Sequence, residues 1–476
     1  MCGFVGIIGV EHAAPLLYSA LQSIQHRGQD AAGIGTLHQG RFLLQKDLGL
    51  VSQALPASRI ESMPGTSGIG HVRYPTVGVG DREDAQPFIT RRPGILMAHN
   101  GNLTNVVELE EDLRDWGLHV QSRCDSEPIL LVLADELTRL RPSKHTEEDL
   151  VKAVSQLMKR LRGSYSVGAV LQVDGEETLV GFRDPHGFRP GVYGRRADGA
   201  WLIASESVAL DALGFELVDV LPPGALILLR KGQEPIIHEV EKAERYPCVF
   251  ERIYFARPDS LMEGGRVYSV RWAMGEKLAD EWAKRGLNAD VVVPVPDTSR
   301  PAAAAIAERL GLPFREGFIK NRYSGRTFIM PDQRARDAAL RLKLNPIREV
   351  FEGKRVLLVD DSVVRGSTMR RIVHMIRTLN PSEVHLGIFS PPVRHPCFYG
   401  IDMPSSEELI AGSIKDNDVL EGALKERFQC DSVSYLTLDG MSEVTGEKVC
   451  KACFTGKYVV DVSEKERSFI RQDRRP

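Results

Sequence analysis

Residues 355–368 read RVLLVDDSVVRGST, an apolar run that ends in two adjacent acids and continues into a turn with a glycine. The run Arg355–Val359 predicts a buried strand, and Thr368–Leu379 predicts a helix whose apolar residues share one face. The turn and helix start present free backbone N–H groups and the positive end of a helix dipole, which suit a phosphate. Asp360 and Asp361 follow the strand at its carboxyl end, where ligands bind in parallel sheets. The stretch predicts an α/β domain with a phosphate site; the plainer alternative is an acidic strand end beside a capped helix.

The chain around this stretch divides into two halves of different pattern. In the second half, strand-like runs such as Asp290–Val293 and Val384–Phe389 alternate with helical stretches such as Ala302–Leu310. Continuous apolar strands that alternate with helices predict a parallel sheet covered on both faces. The first half has short apolar runs ended by glycine, proline or polar turns, with helices between groups of strands. It predicts an α+β domain with antiparallel sheets.

The predicted elements of the first half are the strands Phe4–Ile8, Gly94–Ala98, Tyr165–Val173, Thr178–Phe182, Trp201–Ala204 and Ala225–Leu229, and the helices Ala14–Gln25 and Pro128–Leu140. The polar stretch Lys231–Tyr246 is expected to hold the boundary. This gives two domains, 2–235 and 246–465, the second with a C-terminal segment that carries cysteines.

The composition is that of a globular chain with more than one core. The chain has 476 residues, 42% of them hydrophobic and 26% charged, and a formal net charge of −3, which does not favour a nucleic-acid partner. No apolar run approaches the length of a membrane span, and the N-terminus lacks the pattern of a signal peptide, so we expect no membrane contact and a cytoplasmic protein. The cysteine count of 7 is odd and argues against a disulfide framework.

The stretch 355–368 resembles the phosphoribosyl pyrophosphate (PRPP) motif of type I phosphoribosyltransferases. The resemblance implies that PRPP is bound by Asp360, Asp361, Ser362, Arg365, Gly366, Ser367 and Thr368. A second strand end, VVVPVPDTSR at 291–300, resembles the pyrophosphate loop of that family. It implies a Mg²⁺ site formed by Thr298, Asp360 and Asp361.

The segment KNRYSGRTFIMP at 320–331 carries several basic residues and few acids. A solvated basic loop is the plain interpretation. Beside a pyrophosphate site, a basic lid that closes and excludes water is favoured, and the segment resembles the flexible catalytic loop of glutamine PRPP amidotransferases. The resemblance implies that Lys320 and Arg326 contact PRPP.

Cys2 follows Met1, and removal of the methionine would leave a cysteine at the N-terminus. Its α-amino group, with a pKa of about 8, can accept the thiol proton and so activate the nucleophile. The alternative is that Cys2 is an ordinary apolar residue. His26, His71 and His99 suggest a Cys–His pair, but we favour structural roles for them because the amine already supplies a base.

Five segments strengthen the catalytic interpretation: MCGFVGIIG at 1–9, HRGQDAAG at 26–33, HVRYPTVG at 71–78, AHNGN at 98–102 and DSE at 125–127. Together they resemble the class II (Ntn-type) glutamine amidotransferase domain. The resemblance implies that Cys2 is the nucleophile and that Asn100 and Gly101 form the oxyanion hole. It also implies that the glutamine-binding residues are Arg73, Asp125, Arg27 and Thr76, with Arg73 on the α-carboxylate.

The resemblance covers nearly the whole chain. RDPHGFRP at 183–190 and SES at 205–207 close the first domain, and YFARPDS at 254–260 joins the halves as in the glutamine PRPP amidotransferase family. This family resemblance implies L-glutamine and PRPP as substrates in the first step of purine biosynthesis, with purine nucleotides as feedback inhibitors. It also implies a homo-oligomer, with a tetramer favoured.

Four cysteines form a predicted metal site. CKAC at 450–453 has metal-ligand spacing, and Cys248 and Cys397 are the other candidates beside Cys450 and Cys453. Four thiolates can hold Zn²⁺ or a [4Fe–4S] cluster, and free buried thiols are the plain alternative. The residue contexts resemble the Bacillus-like branch of the family, which implies the cluster, in a structural role. That branch often has a propeptide, whereas only Met1 precedes Cys2 here. Cys124 and Cys430 are expected to be structural.

Four other functions compete. Glucosamine-6-phosphate synthase and asparagine synthetase share the first domain but lack the phosphoribosyl motif. A non-catalytic PRPP sensor would not need Cys2, Arg73, Asn100 and Asp125 together. A redox or iron sensor could be built on the cysteine site.

Overall fold

The structure, a computed structural model, describes residues 2–74, 81–321, 344–403 and 405–473. The strands of the first half are β1 Gly3–Ile8, β2 Ala31–His38, β3 Arg41–Leu48, β4 Ser67–Arg73, β5 Phe88–Arg91, β6 Gly94–Leu103, β7 Gly163–Val173, β8 Glu176–Arg183, β9 Val192–Arg195, β10 Trp201–Ala204, β11 Glu216–Val220, β12 Ala225–Leu229 and β13 Ile236–Glu239. Its helices are Ala13–Ser23, Val51–Ala54, Ala57–Glu61, Val106–Asp115, Ser126–Leu140, Glu147–Arg160 and Val208–Ala212, with a 3-10 turn at Gln25–Arg27.

These strands form two antiparallel sheets that pack face to face. One sheet runs in the order β11-β9-β10-β1-β4-β2-β3, and the other runs β13-β12-β8-β7-β6-β5. Phe4 and Ile69 of the first sheet share a buried core with Leu96 and Val170 of the second. The prediction of an α+β domain with antiparallel sheets is confirmed.

Helices cover the outer faces of both sheets. Ala13–Ser23 buries Leu17 and Leu21, which belong to the core under the first sheet. Ser126–Leu140 and Glu147–Arg160 pack on the second sheet, and the latter begins with a capping box in which Thr146 and Asp149 bond to each other's backbone, a common helix start. Two sheets between two helical layers leave the ends of the central strands as the place for a site.

The strands of the second half are β14 Leu261–Met262, β15 Gly265–Arg266, β16 Val291–Pro294, β17 Phe318–Lys320, β18 Leu344–Pro346, β19 Arg355–Asp360, β20 Glu383–Ile388 and β21 Ser432–Tyr435. Its helices are Val267–Ala283, Arg300–Leu310, Arg348–Phe351, Ser367–Arg377, Asn417–Phe428, Leu438–Thr445, Ala452–Thr455 and Glu464–Asp473, with a π-helical turn at Glu251–Phe255. Among the described residues, no helix is both long and apolar enough to cross a membrane.

The main sheet of the second half is parallel, in the order β16-β19-β20-β21. Its strands alternate their side chains between two cores: Leu357 packs with the helix Val267–Ala283 on one face, and Leu358 packs with the helix Ser367–Arg377 on the other. The predicted α/β domain with a parallel sheet is therefore confirmed. The carboxyl ends of β16 and β19 lie side by side, since Pro294 pairs with Val359.

Two elements differ from the predicted bounds in ways that matter for function. The strand predicted to end at Ala98 continues to Leu103, because β7 pairs with its polar residues as well as with its apolar ones. The helix predicted to reach Gln25 ends at Ser23 and gives way to the 3-10 turn Gln25–Arg27. Asn100 and Gly101 therefore lie within a strand, and Arg27 lies in a tight turn rather than on a helix.

Candidate active sites in the two halves

Cys2 precedes β1, the strand that pairs with both β4 and β10 in the middle of the first sheet. The residue is 8% exposed. Its backbone nitrogen donates to Asn100 Oδ1 at 3.4 Å, and its Sγ lies 3.6 Å from the carbonyl oxygen of Tyr74. A thiol and a backbone nitrogen are thus held beside the polar end of β6.

Asn100 and Gly101, the predicted oxyanion hole, lie on β6 opposite Ser166 and Tyr165 of β7. Asn100 is fully buried, and its Nδ2 has no hydrogen-bond partner among the described residues. A buried amide donor without a partner is unfavourable by about 1–3 kcal/mol, so it points to a ligand that accepts the bond. Gly101 has no room for a side chain, since a Cβ there would meet the carbonyl of Ser164.

Arg73 and Asp125, the predicted glutamine contacts, line one pocket with Cys2, Tyr74 and Gly101. A terminal nitrogen of Arg73 lies 3.2 Å from Asp84 Oδ2. Asp125 Oδ2 accepts a bond from the backbone of Leu103 at 2.9 Å.

The lining of the pocket combines a cation, a carboxylate and a thiol, those of Arg73, Asp125 and Cys2. Burial by itself lowers the pKa of Arg73, but the neighbouring Cys124, Cys2, Asp84 and Asp125 together hold that pKa above its ordinary value. A cation and a carboxylate in one pocket with a thiol suit an amino acid with its carboxylate and ammonium groups intact.

The three histidines occupy supporting positions. His71 Nε2 lies 3.2 Å from the backbone oxygen of His99, and His99 Nδ1 lies 2.8 Å from Ser126 Oγ. Burial lowers the pKa of both rings, so both are neutral near pH 7. His26 Nε2 lies 2.8 Å from Glu206 Oε1. None of these contacts joins an imidazole to the thiol of Cys2.

Arg27 is the centre of a buried charge network that the sequence did not predict. Its Nε donates to the carbonyl of Cys2 at 3.0 Å, one terminal nitrogen donates to Glu206, and the other donates to Glu251 Oε1 at 2.8 Å. Arg189 donates to the same oxygen of Glu251 at 3.1 Å. Removing one partner of such a buried pair typically costs about 3–5 kcal/mol.

The network combines both halves of the chain. Burial by itself lowers the pKa of Arg27, but the charges of Glu251 and Glu206 hold it above its ordinary value. Glu206 and Arg189 fall within the motifs 205–207 and 183–190, and their place in these motifs was the available signal. Glu251 carried no such signal.

Asp360 and Asp361 lie at the carboxyl end of β19 and face the turn that follows β16. Burial raises the pKa of Asp361 to about 6, and burial together with the charge of Asp361 raises the pKa of Asp360 well above its ordinary value. Two buried carboxylates side by side are unfavourable unless a cation lies between them or near them. Their oxygen atoms are the donor type that Mg²⁺ prefers, so the residues fit that ion.

The predicted phosphate loop is a turn from Ser362 to Gly366 followed by the helix that begins at Ser367. Gly366 has a φ of 74°, in the left-handed region that favours glycine. Ser362 Oγ donates to Asp361, while Ser367 and Thr368 are exposed at the helix start. Arg365 is turned to Glu408, with 3.3 Å between Nε and Oε1.

The turn after β16 holds Thr298, half-buried, near the same edge of the sheet. Lys320 reaches this turn and donates to Asp297 Oδ2 at 2.5 Å. The other residues predicted to bind substrate, Thr76 and Arg326, lie outside the described residues, as does the predicted lid from residue 322 onward.

The four predicted metal-ligand cysteines come together. Cys248 and Cys450 pair as neighbouring strand residues do, and each thiol influences the titration of others in the set. Burial raises the pKa of Cys248 to about 11 and that of Cys453 well above its ordinary value. In the part of the chain that the structure describes, no three His, Cys, Asp or Glu side chains form a group suited to one metal ion.

A short segment, 397–402, runs from the cysteines to the glutamine pocket. The carbonyl of Phe398 accepts a bond from Asn102 Nδ2 at 3.0 Å, and the carbonyl of Tyr399 accepts from Ser164 Oγ at 2.8 Å. Asp402 accepts from the hydroxyl of Tyr74 at 2.8 Å. The second half of the chain therefore packs against residues that lie beside the first site.

Comparison with known proteins finds relatives of both halves and of the whole chain. The glutamine amidotransferase domain family matches residues 71–212, and the phosphoribosyl transferase domain family matches residues 272–393. The amidophosphoribosyltransferase of Pseudomonas aeruginosa is 46% identical over 489 residues, covering 100% of this chain and 96% of that protein. That of Archaeoglobus fulgidus is 42% identical, covering 98% of this chain and 99% of the relative.

A solved structure, the glutamine PRPP amidotransferase from B. subtilis complexed with ADP and GMP, is similar to this chain with a TM-score of 0.85 and 36% identity. The similarity covers 97% of this chain and 98% of that one. The match extends through both halves, as the order of the motifs along the sequence predicts.

Proposed function

The chain belongs to the amidophosphoribosyltransferase family, which carries out the first step of purine biosynthesis, and we propose that it does so with the residues described above. Glutamine is split at Cys2, and the ammonia released displaces pyrophosphate from PRPP at the edge of the parallel sheet. The products are glutamate, 5-phosphoribosylamine and pyrophosphate.

The glutamine half-reaction begins once Met1 is removed, which turns the backbone nitrogen of Cys2 into a free amine. That amine takes the thiol proton, and the thiolate attacks the amide carbon of glutamine. The observation that carries this assignment is the unpartnered Nδ2 of buried Asn100, whose Oδ1 already accepts a bond from Cys2. The free N–H groups of that amide stabilise the negative oxygen as it forms.

Two residues orient glutamine for that attack. Arg73 pairs with the α-carboxylate, and Asp125 pairs with the α-ammonium. Their place in one pocket with Cys2 supports these roles. The proton from the amine then passes to the leaving nitrogen, which departs as ammonia and leaves a thioester on Cys2. Water hydrolyses the thioester to glutamate.

The second half-reaction takes place beside Asp360 and Asp361. We assign the ribose hydroxyls to these carboxylates, the 5′-phosphate to the loop from Ser362 to Thr368, and the pyrophosphate to the turn after β16 with Lys320. Ammonia attacks C1, the bond to pyrophosphate breaks, and the amine loses a proton. Mg²⁺, held by Thr298, Asp360 and Asp361, would neutralise charge on the pyrophosphate when bound.

A Cys2→Ala variant separates the two sites. It is expected to lose glutamine-dependent formation of phosphoribosylamine and to keep the ammonium-dependent reaction, because only the amide-splitting thiol is removed. Both rates are followed as pyrophosphate release. Loss of the ammonium-dependent rate in a folded variant would contradict the assignment of separate sites.

We further propose that Cys248, Cys397, Cys450 and Cys453 hold a [4Fe–4S] cluster with a structural role. Three buried thiols and the half-buried thiol of Cys248 supply the donor set of such a cluster. A single zinc ion, held by the same sulfur atoms at about 2.3 Å, is the alternative. Purification without oxygen should yield about four iron and four sulfide per chain; stoichiometric zinc would reverse the assignment.

Our proposals on regulation and assembly rest on membership of the same family. We propose that purine nucleotides inhibit the enzyme, in keeping with the B. subtilis structure that is described as complexed with ADP and GMP. We also propose a homotetramer. Titration of both nucleotides against the glutamine-dependent rate tests the first proposal, and light scattering after size-exclusion chromatography tests the second.

A further inference from the structure

A line of buried charged side chains leads from the carbonyl of Cys2 to the four cysteines. Arg27 donates to that carbonyl at 3.0 Å and to Glu251 at 2.8 Å. Glu251 accepts from Arg189 at 3.1 Å. Arg189 in turn donates to the carbonyl of Tyr399 at 2.8 Å, and the backbone N–H of Tyr399 points to Cys397 Sγ at 3.4 Å.

The side chains of this line are buried, and each has fixed partners. Arg27 and Arg189 are fully buried, and Glu251 is 1% exposed. Charged groups so removed from water keep their positions only while each has its partner. Glu251 is the residue that both cations share, so its single Oε1 sets the distance between them.

We propose that Glu251 is a positioning residue for the splitting of glutamine: it holds Arg27 against the carbonyl of Cys2, and Arg189 ties that contact to the cysteine site. Glu251 has no described contact with the thiol of Cys2, and it does not line the glutamine pocket. It acts on the N-terminal residue because the amine of Cys2 must reach both the thiol proton and Asn100, and a shift of its carbonyl moves that amine. This inference rests on the proposed role of Cys2.

The position of Glu251 in the chain places it close to the cysteine site. It lies in the π-helical turn Glu251–Phe255, three residues after Cys248. The same turn is held from the other side by Arg271, which donates to the carbonyls of Arg252 and Ala256 at 2.8 and 2.7 Å. A disturbance at the cysteines therefore reaches Glu251 through the backbone of Cys248 as well as through Arg189.

Glu251→Gln in the full chain tests the role, since it keeps the shape and removes the charge. The turnover number for glutamine hydrolysis is expected to fall about ten- to a hundred-fold, with the KM for glutamine within about two-fold. The ammonium-dependent rate should not change. The pH midpoint for alkylation of Cys2 by iodoacetamide should move down by up to about one unit, because the charge of Arg27 is less compensated.

Glu263→Gln is the matched control. Glu263 pairs with Arg183 at 2.8 Å in the same region, and the contacts of that pair do not lead to Cys2. It should leave both glutamine turnover and the alkylation profile unchanged. If Glu251→Gln behaves like this control, the positioning role is wrong, whereas the assignment of Cys2 stands as long as Cys2→Ala abolishes the glutamine reaction.

Arg189→Lys tests the link to the cysteines. A lysine keeps the charge but cannot donate to Tyr399 and Glu251 in the same fork geometry, so glutamine turnover should fall with little change in the ammonium-dependent rate. If Glu251→Gln has its effect and Arg189→Lys has none, the network ends at Glu251 and the link is withdrawn. If either variant folds poorly, which its melting temperature and ammonium-dependent rate would show, Glu251→Asp is tested in its place. Partial recovery of glutamine turnover in Glu251→Asp supports the positioning role, and no recovery contradicts it.

Discussion

Asn100 Oδ1 accepts a hydrogen bond from the backbone nitrogen of Cys2 at 3.4 Å, although the two residues are 98 positions apart in the chain. The contact orients the amide, so its Nδ2 is left without a partner among the described residues. One side chain can therefore serve both the base and the oxyanion of the proposed reaction. These two functions can be separated by substitution.

Asn100→Asp keeps an oxygen for Cys2 and removes the N–H donors. We expect its turnover number for glutamine hydrolysis to fall about 10²- to 10³-fold, as for loss of one oxyanion donor. Asn100→Ala should show a similar loss. The ammonium-dependent rate should be unchanged in both. A glutamine rate within a factor of three of the parent in Asn100→Asp would show that this amide does not stabilise the oxyanion.

Arg73→Lys tests the carboxylate contact. A charge-assisted bond contributes about 1.5–3 kcal/mol, so the KM for glutamine should rise about ten- to a hundred-fold with a smaller effect on turnover. Steady-state hydrolysis of glutamine measures both. Arg82→Lys is the control, since the side chain of Arg82 is 63% exposed and 4.0 Å from Asp47. Equal effects of the two substitutions would contradict the role of Arg73.

Gly366→Ala tests the phosphate loop. Its φ of 74° disfavours a side chain, and a Cβ there would meet Ile410. The KM for PRPP should rise at least about ten-fold, because the loop must shift away from the helix start. Gly353→Ala is the control. Gly353 lies just before β19, the strand that the phosphate loop follows. Its φ is 68°, and open space surrounds the Cβ position. Both variants should lose about 1 kcal/mol of stability, but only Gly366→Ala should weaken PRPP binding.

The pH dependence of stability should reflect the buried histidines. The pKa of His71 lies well below its ordinary value, first because of burial and then because of the neighbouring charges of His99 and Arg73. The unfolded chain therefore binds more protons than the folded one below about pH 6.5, and stability falls as the pH drops through that value. Between pH 7.5 and 5.5 the loss is up to about 1.4 kcal/mol for each such ring.

His71→Gln should reduce that loss, because an amide can donate to the carbonyl of His99 and does not titrate. Urea unfolding at about pH 7.5 and about pH 5.5 measures this loss of stability. The exposed His374, on the outer face of its helix, gives the control His374→Gln, which should leave the pH dependence as it is. A pH dependence unchanged in His71→Gln would mean that His71 is not the group responsible.

The sequence predicts the fold well where periodicity carries the signal. The apolar runs of β16, β19 and β20 have the length and spacing of buried parallel strands, and these strands lie side by side in one sheet. The extension of β6 to Leu103 escaped prediction because its last residues are polar. The polar side chains of His99, Asn100 and Asn102 are buried all the same, and these residues pair with β7.

The charge network could not be predicted from the sequence, for a different reason. Arg27, Glu206 and Glu251 are far apart along the chain, and an ion pair between distant residues leaves no local pattern. The motif residues Cys2, Asn100, Arg73 and Asp125 could be named because a family resemblance supplies their roles. The residues that hold them in position could be found only from contacts in three dimensions.

The pairing of Cys248 with Cys450 has a consequence for biosynthesis. Most of the second half lies between these two residues, so the site cannot close while the ribosome is still adding the last segment of the chain. The N-terminal sheets can form earlier, since domains usually fold in the order of synthesis. A chain released before Cys450 would thus carry folded N-terminal sheets but lack two of the four cysteines, so its second half could not complete the cysteine site.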